Sequence, residues 1–388
     1  MIGSGSYGFT FRLVEKFSPT KSRRLAMKVA QPGKEGELKN EIRFLTRLRG
    51  ADHIVQLLAS RTGDEDPEPQ RATLAALASK RPKAKNRLQN SVKRLTGPIA
   101  VLEYLENGEL KTLRARCERR NQLLPNRILW SFFLCLIRAC VALAYPPDGP
   151  EGQPTKLETI PTDGRAPALI EHADLHTANV MIGNTNSIPE HIIVPVLKFI
   201  DFGQTWEVPS GPPDNTWKIS KLLFIMITGR PPPVGPASRT AEHNGIRTLA
   251  TEIVPKGNGA KYPTLDPELR DFLARCLAWK AEDRPDLSTM LTTAEDALRA
   301  RTAAASTDST DETDEPATDT DSIDTNPDSN DETGEATEDP DDVDETDEAI
   351  KPLDNTNESD EAIRDMIQAL IYDADTYEEK IDYIVISS

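Results

Sequence analysis

The sequence predicts an α+β fold with a small β-rich N-terminal part, a larger helical part and a disordered acidic C-terminal tail. Three observations carry this prediction. Short apolar runs separated by glycine and polar residues extend to about residue 105, and longer apolar runs at helical spacing continue to about residue 300. From Thr302 onward the composition changes to Asp, Glu, Thr, Ser, Asn and Pro. With 388 residues in total, we expect a folded domain over 1–300 that is followed by a tail.

The first 60 residues read as strand, glycine turn, strand, strand, helix and strand. Residues 25–29 form a short apolar run with one lysine, Lys28, which is typical of a strand. Residues 37–49 place their apolar side chains at helical spacing, with Glu41 beside that face. Residues 54–58 predict a further strand.

The remaining elements follow an insertion. Over 62–97 an acidic stretch gives way to a basic one, which predicts an exposed insertion, and a buried strand follows at 99–104. Glycine and polar residues at 106–109 then turn the chain into the helical part. The elements predicted after that turn are a helix at 123–144, a surface loop rich in Pro and Gly at 146–167, a strand at 194–200, and helices at 217–228, 268–280 and 286–300.

Charge is distributed unevenly along the chain. The whole sequence has a formal charge of −17, but residues 302–388 contain 30 acidic and 3 basic residues, so the first 301 residues are mildly basic. Residues 302–357 have almost no apolar side chains and cannot bury enough surface to offset their chain entropy, which predicts disorder. The tail has two interpretations: a solubilising disordered extension or, because its charge is opposite, a segment that makes an intramolecular contact with the basic body.

The last 30 residues differ from the rest of the tail. Apolar side chains fall on one helical face between residues 363 and 371, and residues 381–386 are strongly apolar. This pattern predicts a short docking element over 358–388.

Cysteine usage and hydropathy indicate the cellular compartment. No cysteine pair or metal-ligand spacing is found among Cys117, Cys135, Cys140 and Cys276. Such cysteines favour reduced thiols in an intracellular protein, cytoplasmic or nuclear. The most apolar stretch, 128–144, has 17 residues and includes Arg138, which predicts a buried core helix and no membrane span. Nothing at the N-terminus resembles a signal peptide, and we expect neither a membrane nor a nucleic acid as partner.

Two short segments of the helical part carry acids and an amide at a spacing that suits phosphoryl transfer. Residues 172–179 read His-Ala-Asp-Leu-His-Thr-Ala-Asn, and an Asp-Phe-Gly tripeptide begins at Asp201. Phosphoryl transfer needs one carboxylate to orient and deprotonate the attacking hydroxyl, and an amide and a second carboxylate to hold Mg²⁺ on the phosphates. Asp174, Asn179 and Asp201 are therefore the candidates for these roles.

The N-terminal part offers a cradle for a nucleotide. Gly3, Gly5 and Gly8 precede a strand, and glycines at this spacing let backbone N–H groups close over phosphates. A dinucleotide-binding fold would have a helix directly after the glycines, whereas residues 9–14 look like a strand.

A lysine and an acid in this part can complete the cradle. If the helix over 37–49 packs on the sheet, Glu41 can pair with Lys28 and fix its ammonium toward the α- and β-phosphates. The backbone from Glu103 to Leu105 is placed to meet the edge of an adenine.

These motifs, in this order, resemble those of the eukaryotic protein kinase superfamily. The resemblance covers residues 1 to about 300 and is carried by seven motifs: Gly3, Gly5 and Gly8; Ala26-Met27-Lys28; Glu41; Glu103-Tyr104-Leu105; His172 to Asn179; Asp201-Phe202-Gly203; and Arg284-Pro285. It implies a two-lobed protein kinase-like fold, with an N-lobe over 1–105 and a C-lobe over 106–300. It also implies an enzyme that uses ATP and Mg²⁺ and acts on a protein substrate.

The resemblance implies three groups of site residues. The group that would contact ATP comprises Gly3, Gly5, Gly8, Ala26, Lys28, Glu103 and Leu105. In the catalytic group, Asp174 would be the base, and Lys28 paired with Glu41 would anchor the α- and β-phosphates. Asn179 and Asp201 would bind Mg²⁺.

Two departures from the family pattern concern control by phosphorylation. Ala173 stands where the family usually has an arginine that meets an activation-loop phosphate, so we expect activity that does not require that phosphorylation. The segment between Gly203 and Asn215 has 11 residues, which is short, and the chain has no Ala-Pro-Glu tripeptide. Glu207 is then the nearby substitute for the usual partner of Arg284.

Three further departures concern the chemistry and the ATP lid. His176 stands two residues after Asp174, where the family usually has a lysine. A histidine at this position resembles the aminoglycoside and choline phosphotransferases. A neutral imidazole stabilises transition-state charge less than an ammonium, so we expect slower turnover, whereas the structural alternative is a histidine that packs the loop. Thr10 stands where a valine usually covers the adenine, and the first strand before Gly3 is nearly absent.

Three interpretations of function follow. The leading one is an ATP-dependent protein kinase that transfers the γ-phosphate to a protein hydroxyl, with Ser or Thr favoured over Tyr. A pseudokinase, an ATP-binding regulatory module, is the first alternative because the first strand and the activation segment are short. A small-molecule phosphotransferase of the aminoglycoside or choline kinase type is the second, because of His176. Arg284-Pro285 and the turn at 106–110 favour the protein kinase branch.

Overall fold

The protein combines a small sheet with several helices, as a computed structural model shows. The α+β class predicted from the sequence is therefore confirmed. The residues that the structure describes are 3–4, 8–18, 20–63, 87–150, 152–186, 188–233, 239–257, 259–307, 358–373 and 384–387.

The N-terminal part is built on a six-stranded sheet. Its strands are β1 (Gly3–Ser4), β2 (Gly8–Lys16), β3 (Ser22–Ala30), β4 (Leu57–Arg61), β5 (Ile99–Glu103) and β12 (Ile384–Ser387). The order is β1-β2-β3-β5-β4 with antiparallel pairing, and β12 joins β2 in parallel. Successive side chains of β3 point to opposite faces of the sheet, so Leu25 and Met27 enter its core while Lys28 faces the other side.

Helix α1 (Glu35–Arg47) packs on the face of the sheet to which Lys28 points. Its buried side chains include Leu38, Ile42 and Leu45, and Glu41 lies among them. The strand predicted over 54–58 begins later, at Leu57, because the segment before it pairs elsewhere. The Val55 N–H donates to the carbonyl of Phe199, and the Phe199 N–H donates to the carbonyl of His53, at 3.0 and 2.9 Å.

The insertion predicted as exposed is folded in its last part. Helix α2 (Arg87–Val92) buries Leu88 and Val92 against the sheet. The side-chain amide of Gln89 accepts from the Ser60 N–H at 3.0 Å and donates to the Ser60 carbonyl at 2.7 Å. The prediction of an exposed insertion is therefore wrong for this part, because α2 extends the edge of β4, and residues 64–86 lie outside the described residues.

The helical part surrounds one buried helix. Its helices are α3 (Leu110–Arg119), α4 (Asn126–Ala144), α5 (Gly211–Thr228), α6 (Pro267–Cys276) and α7 (Leu287–Thr307). Every residue of α4 after Asn126 is buried, and α4 packs against α5 and α7. Within the described residues, α4 is the one helix long and apolar enough to cross a membrane, and here it forms the protein core.

Short strand pairs connect the helices of this part. They are β6 (Ile170–Glu171) with β9 (Trp206–Glu207), β7 (Val180–Ile182) with β8 (Leu197–Phe199), and β10 (Ala241–His243) with β11 (Ile246–Thr248). The first two pairs hold the segments on either side of the predicted catalytic residues.

Two helices are longer than the sequence predicts. Helix α5 starts at Gly211, before the predicted residue 217, because prolines are compatible with the first turn of a helix. Helix α7 continues to Thr307, so residues 302–307 are helical although the sequence places them in the tail. Residues 308–357, which make up most of the predicted tail, lie outside the described residues.

A C-terminal helix docks on the helical part. Helix α8 (Asp360–Ile367) continues as a π-helical turn (Gln368–Tyr372) and buries Ile363, Met366, Ile367, Leu370 and Ile371. Polar contacts fix its register on α3 and α4. The Glu358 carboxylate accepts from the Asn126 N–H at 2.7 Å at the start of α4, Arg127 pairs with Asp360 at 2.6 Å, and Arg116 donates to the Leu370 carbonyl at 3.0 Å.

Candidate active site

A lysine and two acids meet where the sheet faces α1. The Nζ of Lys28, on β3, lies 2.7 Å from Oε1 of Glu41 and 3.4 Å from Oδ1 of Asp201. Burial alone would lower the pKa of Lys28, but the charges of Glu41 and Asp201 outweigh burial and raise it. The structure therefore holds a charged ammonium in the pairing predicted from the sequence, with Asp201 as an additional partner.

Helix α1 also fixes the turn that follows Asp201. The Nδ2 of Asn40 donates to the carbonyls of Gly203 and Thr205, at 3.0 and 2.7 Å. Phe202 is fully buried, and its ring lies 4.7 Å from the imidazole of His172. Asn40 was not among the predicted site residues, because an amide on a helix surface has no sequence signature of its own.

A cleft opens between the sheet and the turn after Asp201. Its lining includes Gly8, Thr10, Lys28, Glu41, Asp201 and Gly203. A side chain at Gly8 would place its Cβ 2.7 Å from the carbonyl oxygen of Val29, so this position requires glycine. Gly3 lies in β1 beside Thr10, whereas Gly5 lies outside the described residues.

The predicted adenine contacts lie at the end of β5. Ala26 pairs with Leu102 across the strands, and Leu102 is buried. The Glu103 N–H donates to the Gln56 carbonyl at 3.1 Å, so it is already used, and its side chain pairs with Lys198 at 2.9 Å. Among the described residues, the N–H of Leu105 has no hydrogen-bond partner, so it can donate to a ligand.

The loop over 172–179 is held from behind by a buried histidine. The Nε2 of His172 hydrogen bonds with the carbonyl of Ile200 at 2.9 Å, which connects this loop to the residue before Asp201. Burial lowers the pKa of His172 to about 4, so the imidazole is neutral and donates from Nε2. The His172 N–H donates to Oδ1 of Asn215, on α5, at 3.1 Å.

Two residues of the site have unusual backbone angles. Ala173 and Asp201 both have φ of 64°, in the left-handed region that is uncommon for residues other than glycine. Such conformations cost about 1–3 kcal/mol each and persist where the surrounding structure holds them, often at functional sites. Around Ala173, the preceding residue His172 contacts Asn215 and Ile200, and the Ala173 carbonyl accepts from Lys218 at 3.4 Å.

The predicted base and the predicted metal ligand contact each other. The Nδ2 of Asn179 donates to the carbonyl of Asp174 at 2.8 Å and to its Oδ2 at 3.1 Å. The Ile200 N–H donates to the Asn179 carbonyl at 3.0 Å. This leaves the Oδ1 of Asn179 as the side-chain atom available to a cation. The structure thus brings Asp174, Asn179 and the strand leading to Asp201 together.

His176 faces the predicted base. Its Nδ1 accepts from the Ala178 N–H at 3.3 Å, and its Nε2 lies 3.6 Å from Oδ1 of Asp174. The side chains of His176 and Asp174 are 52% and 41% exposed. The imidazole therefore caps the turn over Thr177–Asn179 through its Nδ1, as the structural alternative expects, and its Nε2 edge is open to solvent beside the carboxylate.

The segment after Gly203 is short and held at several points. The Trp206 Nε1 donates to the Glu171 carboxylate at 2.7 Å, and Lys218 donates to the same carboxylate at 2.5 Å. The Thr205 Oγ1 donates to the His172 carbonyl at 3.4 Å, and the Val208 N–H donates to the Leu169 carbonyl at 2.8 Å.

The predicted substitute partner of Arg284 has a different role. Glu207 pairs with Arg47, at the end of α1, at 2.6 Å. Arg284 donates to the Ala278 carbonyl at 2.9 Å and lies over the ring of Trp217. The suggestion that Glu207 takes the place of the usual acid is therefore wrong, because the short segment carries Glu207 toward α1.

The chain is distantly similar to a curated protein. The chain is 24% identical over 210 residues to the G2-specific protein kinase nim-1 of Neurospora crassa. The match covers 49% of this chain and 23% of that protein, so the chain spans less than a quarter of the length of the relative. No family model matches the sequence. The similarity indicates a distant, kinase-like relationship for part of the chain.

Proposed function

We propose that this protein is an ATP- and Mg²⁺-dependent protein kinase with a two-lobed arrangement, in which the sheet forms one lobe and the helical part the other. One observation carries the proposal. The Lys28–Glu41 pair, Asp201 and the Asp174–Asn179 pair converge on one region, and they are the charged and amide groups that phosphoryl transfer requires. The distant similarity to a protein kinase supports the same class of reaction.

Each side chain has a separate role in this proposal. The Lys28 ammonium, fixed by Glu41, pairs with the α- and β-phosphates. Asp174 accepts the proton of the attacking hydroxyl, and its exposed carboxylate is accessible to a hydroxyl on another protein. We expect the hydroxyl to be that of Ser or Thr.

The residues present fit a magnesium ion. The amide oxygen of Asn179 and the carboxylate of Asp201 are hard oxygen donors, which Mg²⁺ prefers. Within the described residues, Lys28 is the one ion-pair partner of Asp201. When bound, Mg²⁺ neutralises phosphate charge during transfer.

The short segment after Gly203 supports activity without loop phosphorylation. Its residues are fixed by Asn40, Glu171 and Arg47, and Ala173 offers no cationic side chain to read a phosphate. In this proposal the segment takes its working position through these contacts alone.

The test is transfer of ³²P from Mg-[γ-³²P]ATP to casein or myelin basic protein by the purified full chain. We expect transfer by the wild-type protein and a loss of about 10²–10⁴-fold in Asp174→Asn, because that change removes the general base. Nucleotide binding without transfer above this control would contradict the proposal and favour a pseudokinase.

A second candidate function is phosphoryl transfer to a small molecule. His176 favours this function, because a histidine at this position resembles the loop of the small-molecule phosphotransferases. Its Nε2 lies 3.6 Å from the Asp174 carboxylate. The same assay with aminoglycoside and choline acceptors separates the two. Label that moves only to these acceptors would replace the protein kinase proposal with this one.

A further inference from the structure

A buried group of two histidines and one cysteine lies outside the cleft. The His–Cys–His cluster consists of His53, before β4, Cys135, on α4, and His191, in the turn between β7 and β8. Their exposed fractions are 0%, 1% and 1%. The Nε2 atoms of the two histidines lie 3.0 Å apart, and the Cys135 Sγ lies within 4.8 Å of both.

We propose that the His–Cys–His cluster is a structural zinc site. In a tetrahedral site with Zn–N of about 2.0–2.1 Å and Zn–S of about 2.3 Å, two nitrogens lie about 3.3 Å apart and nitrogen and sulfur about 3.6 Å apart. The observed distance of 3.0 Å between the two nitrogens is close to the first value, and the sulfur lies within 4.8 Å of both nitrogens. Rotation of the Cys135 side chain and small shifts of the rings would bring three ligand atoms around one ion. Two imidazoles and a thiolate suit Zn²⁺, whereas metals such as Mg²⁺ prefer oxygen ligands.

The second shell of the cluster has the arrangement typical of zinc-binding histidines. The Nδ1 of His53, on the side of the ring away from the cluster, lies 2.6 Å from Oε2 of Glu158. A metal-bound histidine usually donates its other ring N–H to a carboxylate, which fixes the tautomer and the ring orientation. The other carboxylate oxygen of Glu158 accepts from the His53 backbone N–H at 2.8 Å. Glu158 thus holds His53 with its Nε2 toward the other two ligands.

A buried carboxylate lies next to the cluster in the chain. Asp52 is buried and interacts electrostatically with both His53 and His191. Its Oδ1 accepts from the Thr155 hydroxyl at 2.6 Å, whereas its Oδ2 has no hydrogen-bond partner within the described part of the chain. Structural zinc sites are almost always four-coordinate. The Asp52 carboxylate is not among the ligand atoms that lie within 4.8 Å of one another, so it would take the fourth position only after its side chain turns toward the cluster.

The position of the cluster explains what the ion would do. The His53 carbonyl accepts from the Phe199 N–H, so the first ligand is attached directly to β8, two residues before Asp201. Cys135 belongs to the central helix α4, and Glu158 belongs to the loop that follows α4. One ion would therefore hold the sheet, the central helix and the strand behind the cleft together. The site has no exposed ligand for a substrate, so its role is structural.

Metal binding changes the protonation of the ligands. The Cys135 thiol gives up its proton to solvent and becomes the thiolate. The hydrogen between the two Nε2 atoms must also leave, and the Nδ1 of His191, which has no hydrogen-bond partner within the described residues, takes it, so that both imidazoles stay neutral. Without metal, the same atoms form a hydrogen bond between two histidines, which is the alternative arrangement that the experiment must separate.

The experiment is metal analysis of the full chain, purified without chelator and without nucleotide. We expect about one zinc per chain in the wild-type protein and in Cys140→Ser, and a loss of most of that zinc in Cys135→Ser. Cys140 is a matched control because it is a buried cysteine on the same helix and lies outside the cluster. Asp201→Asn is a second control, and it keeps its zinc if the ion does not sit in the cleft.

Cobalt substitution tests the ligand set without relying on a variant that folds. Replacing the ion by Co²⁺ in the wild-type protein should give visible d–d bands and a thiolate-to-cobalt charge-transfer band. Folded wild-type protein that contains no zinc and shows no such band after cobalt addition would overturn the proposal. Zinc that stays at one equivalent in folded Cys135→Ser and His191→Asn would also overturn it, because the ion would then lie elsewhere.

Discussion

The cleft and the His–Cys–His cluster differ in their exposure to solvent. At the cleft, the side chains of Asp174 and His176 are 41% and 52% exposed. In the cluster, the side chain of His53 is 0% exposed, and that of Glu158, which lies behind it, is 3% exposed. Both regions therefore place a histidine beside a carboxylate, but in different surroundings. In the cleft, water solvates the two side chains and they remain accessible to a reacting molecule. In the cluster, each polar atom depends on its protein partner, because an unpaired polar group away from water costs free energy.

This difference separates the effects that substitutions should have. A change in the cleft should alter the rate and leave the free energy of unfolding nearly unchanged, since exposed side chains contribute little to stability. A change at the cluster should alter the free energy of unfolding and leave the rate of the folded molecules nearly unchanged. The predictions below test this separation, and they are ordered by the size of the expected effect.

Asp201→Asn should reduce kcat/KM for phosphoryl transfer by about 10³-fold, or about 4 kcal/mol, because the site loses the charge that holds the metal ion. The measurement is steady-state transfer from ATP at saturating Mg²⁺, with thermal denaturation in parallel. Asp163→Asn is the control, because that carboxylate pairs with Arg165 on an exposed loop. Equal rates for the two variants would remove Asp201 from the proposed mechanism.

Lowering the pH should destabilise the protein through His172. Its pKa is about 4 in the folded protein against an ordinary value of 6.5, so below pH 6.5 the unfolded chain binds a proton that the folded protein does not. Stability is therefore lost as the pH falls from about 6.5 to about 4, by about 3 kcal/mol in total.

Urea denaturation at several pH values between 7 and 4 measures this loss. In His172→Gln, which keeps an N–H donor but cannot titrate, the dependence on pH should be flatter by the same amount. Identical pH profiles for the two proteins would show that burial of His172 does not control its charge.

Glu158→Gln should lower the free energy of unfolding by about 2 kcal/mol, because the buried carboxylate accepts from both the side chain and the backbone of His53. Urea denaturation measures the change, and the rate of transfer per folded molecule should be preserved. Glu282→Gln, at a highly exposed glutamate, should change stability by less than about 0.5 kcal/mol. A Glu158→Gln protein as stable as this control would contradict the role given to the cluster.

His176→Lys should raise kcat by up to about tenfold, or about 1.4 kcal/mol, because an ammonium beside Asp174 stabilises transferred charge better than an imidazole. The measurement is kcat with protein and small-molecule acceptors. His243→Lys, on β10, is the control for adding a lysine elsewhere. A fall in kcat with every acceptor would mean that the imidazole itself is required.

Local sequence patterns predicted the elements and one of the key contacts. The helix over 37–49 and the strand over 25–29 each follow from hydrophobic periodicity, and their packing brings Glu41 to Lys28 as expected. The loop over 172–179 was predicted because its residues lie close together in the chain. Such features depend on short-range spacing, which a single sequence contains.

Contacts between distant segments were not predicted. His53, Cys135 and His191 are separated by more than 50 residues each, so their spacing gave no metal signature. Glu207 was assigned near Arg284, but tertiary packing carries it to Arg47. In both cases the partner is selected by how the elements pack, and the sequence pattern around each residue contains no information about that packing.

The pairing of β12 with β2 has a consequence for the order of folding. Residues Leu13 to Lys16 lie beside Ile384 to Ser387, so one edge of the sheet combines residues that are far apart in the chain. A ribosome delivers the N-terminal residues first, and β2 is therefore synthesised long before its parallel neighbour. Until then this edge presents unpaired backbone groups, which makes the nascent chain prone to aggregation. This edge of the sheet can be completed only after residues 384–387 have been synthesised, and a chaperone that covers β2 would protect it in the interval.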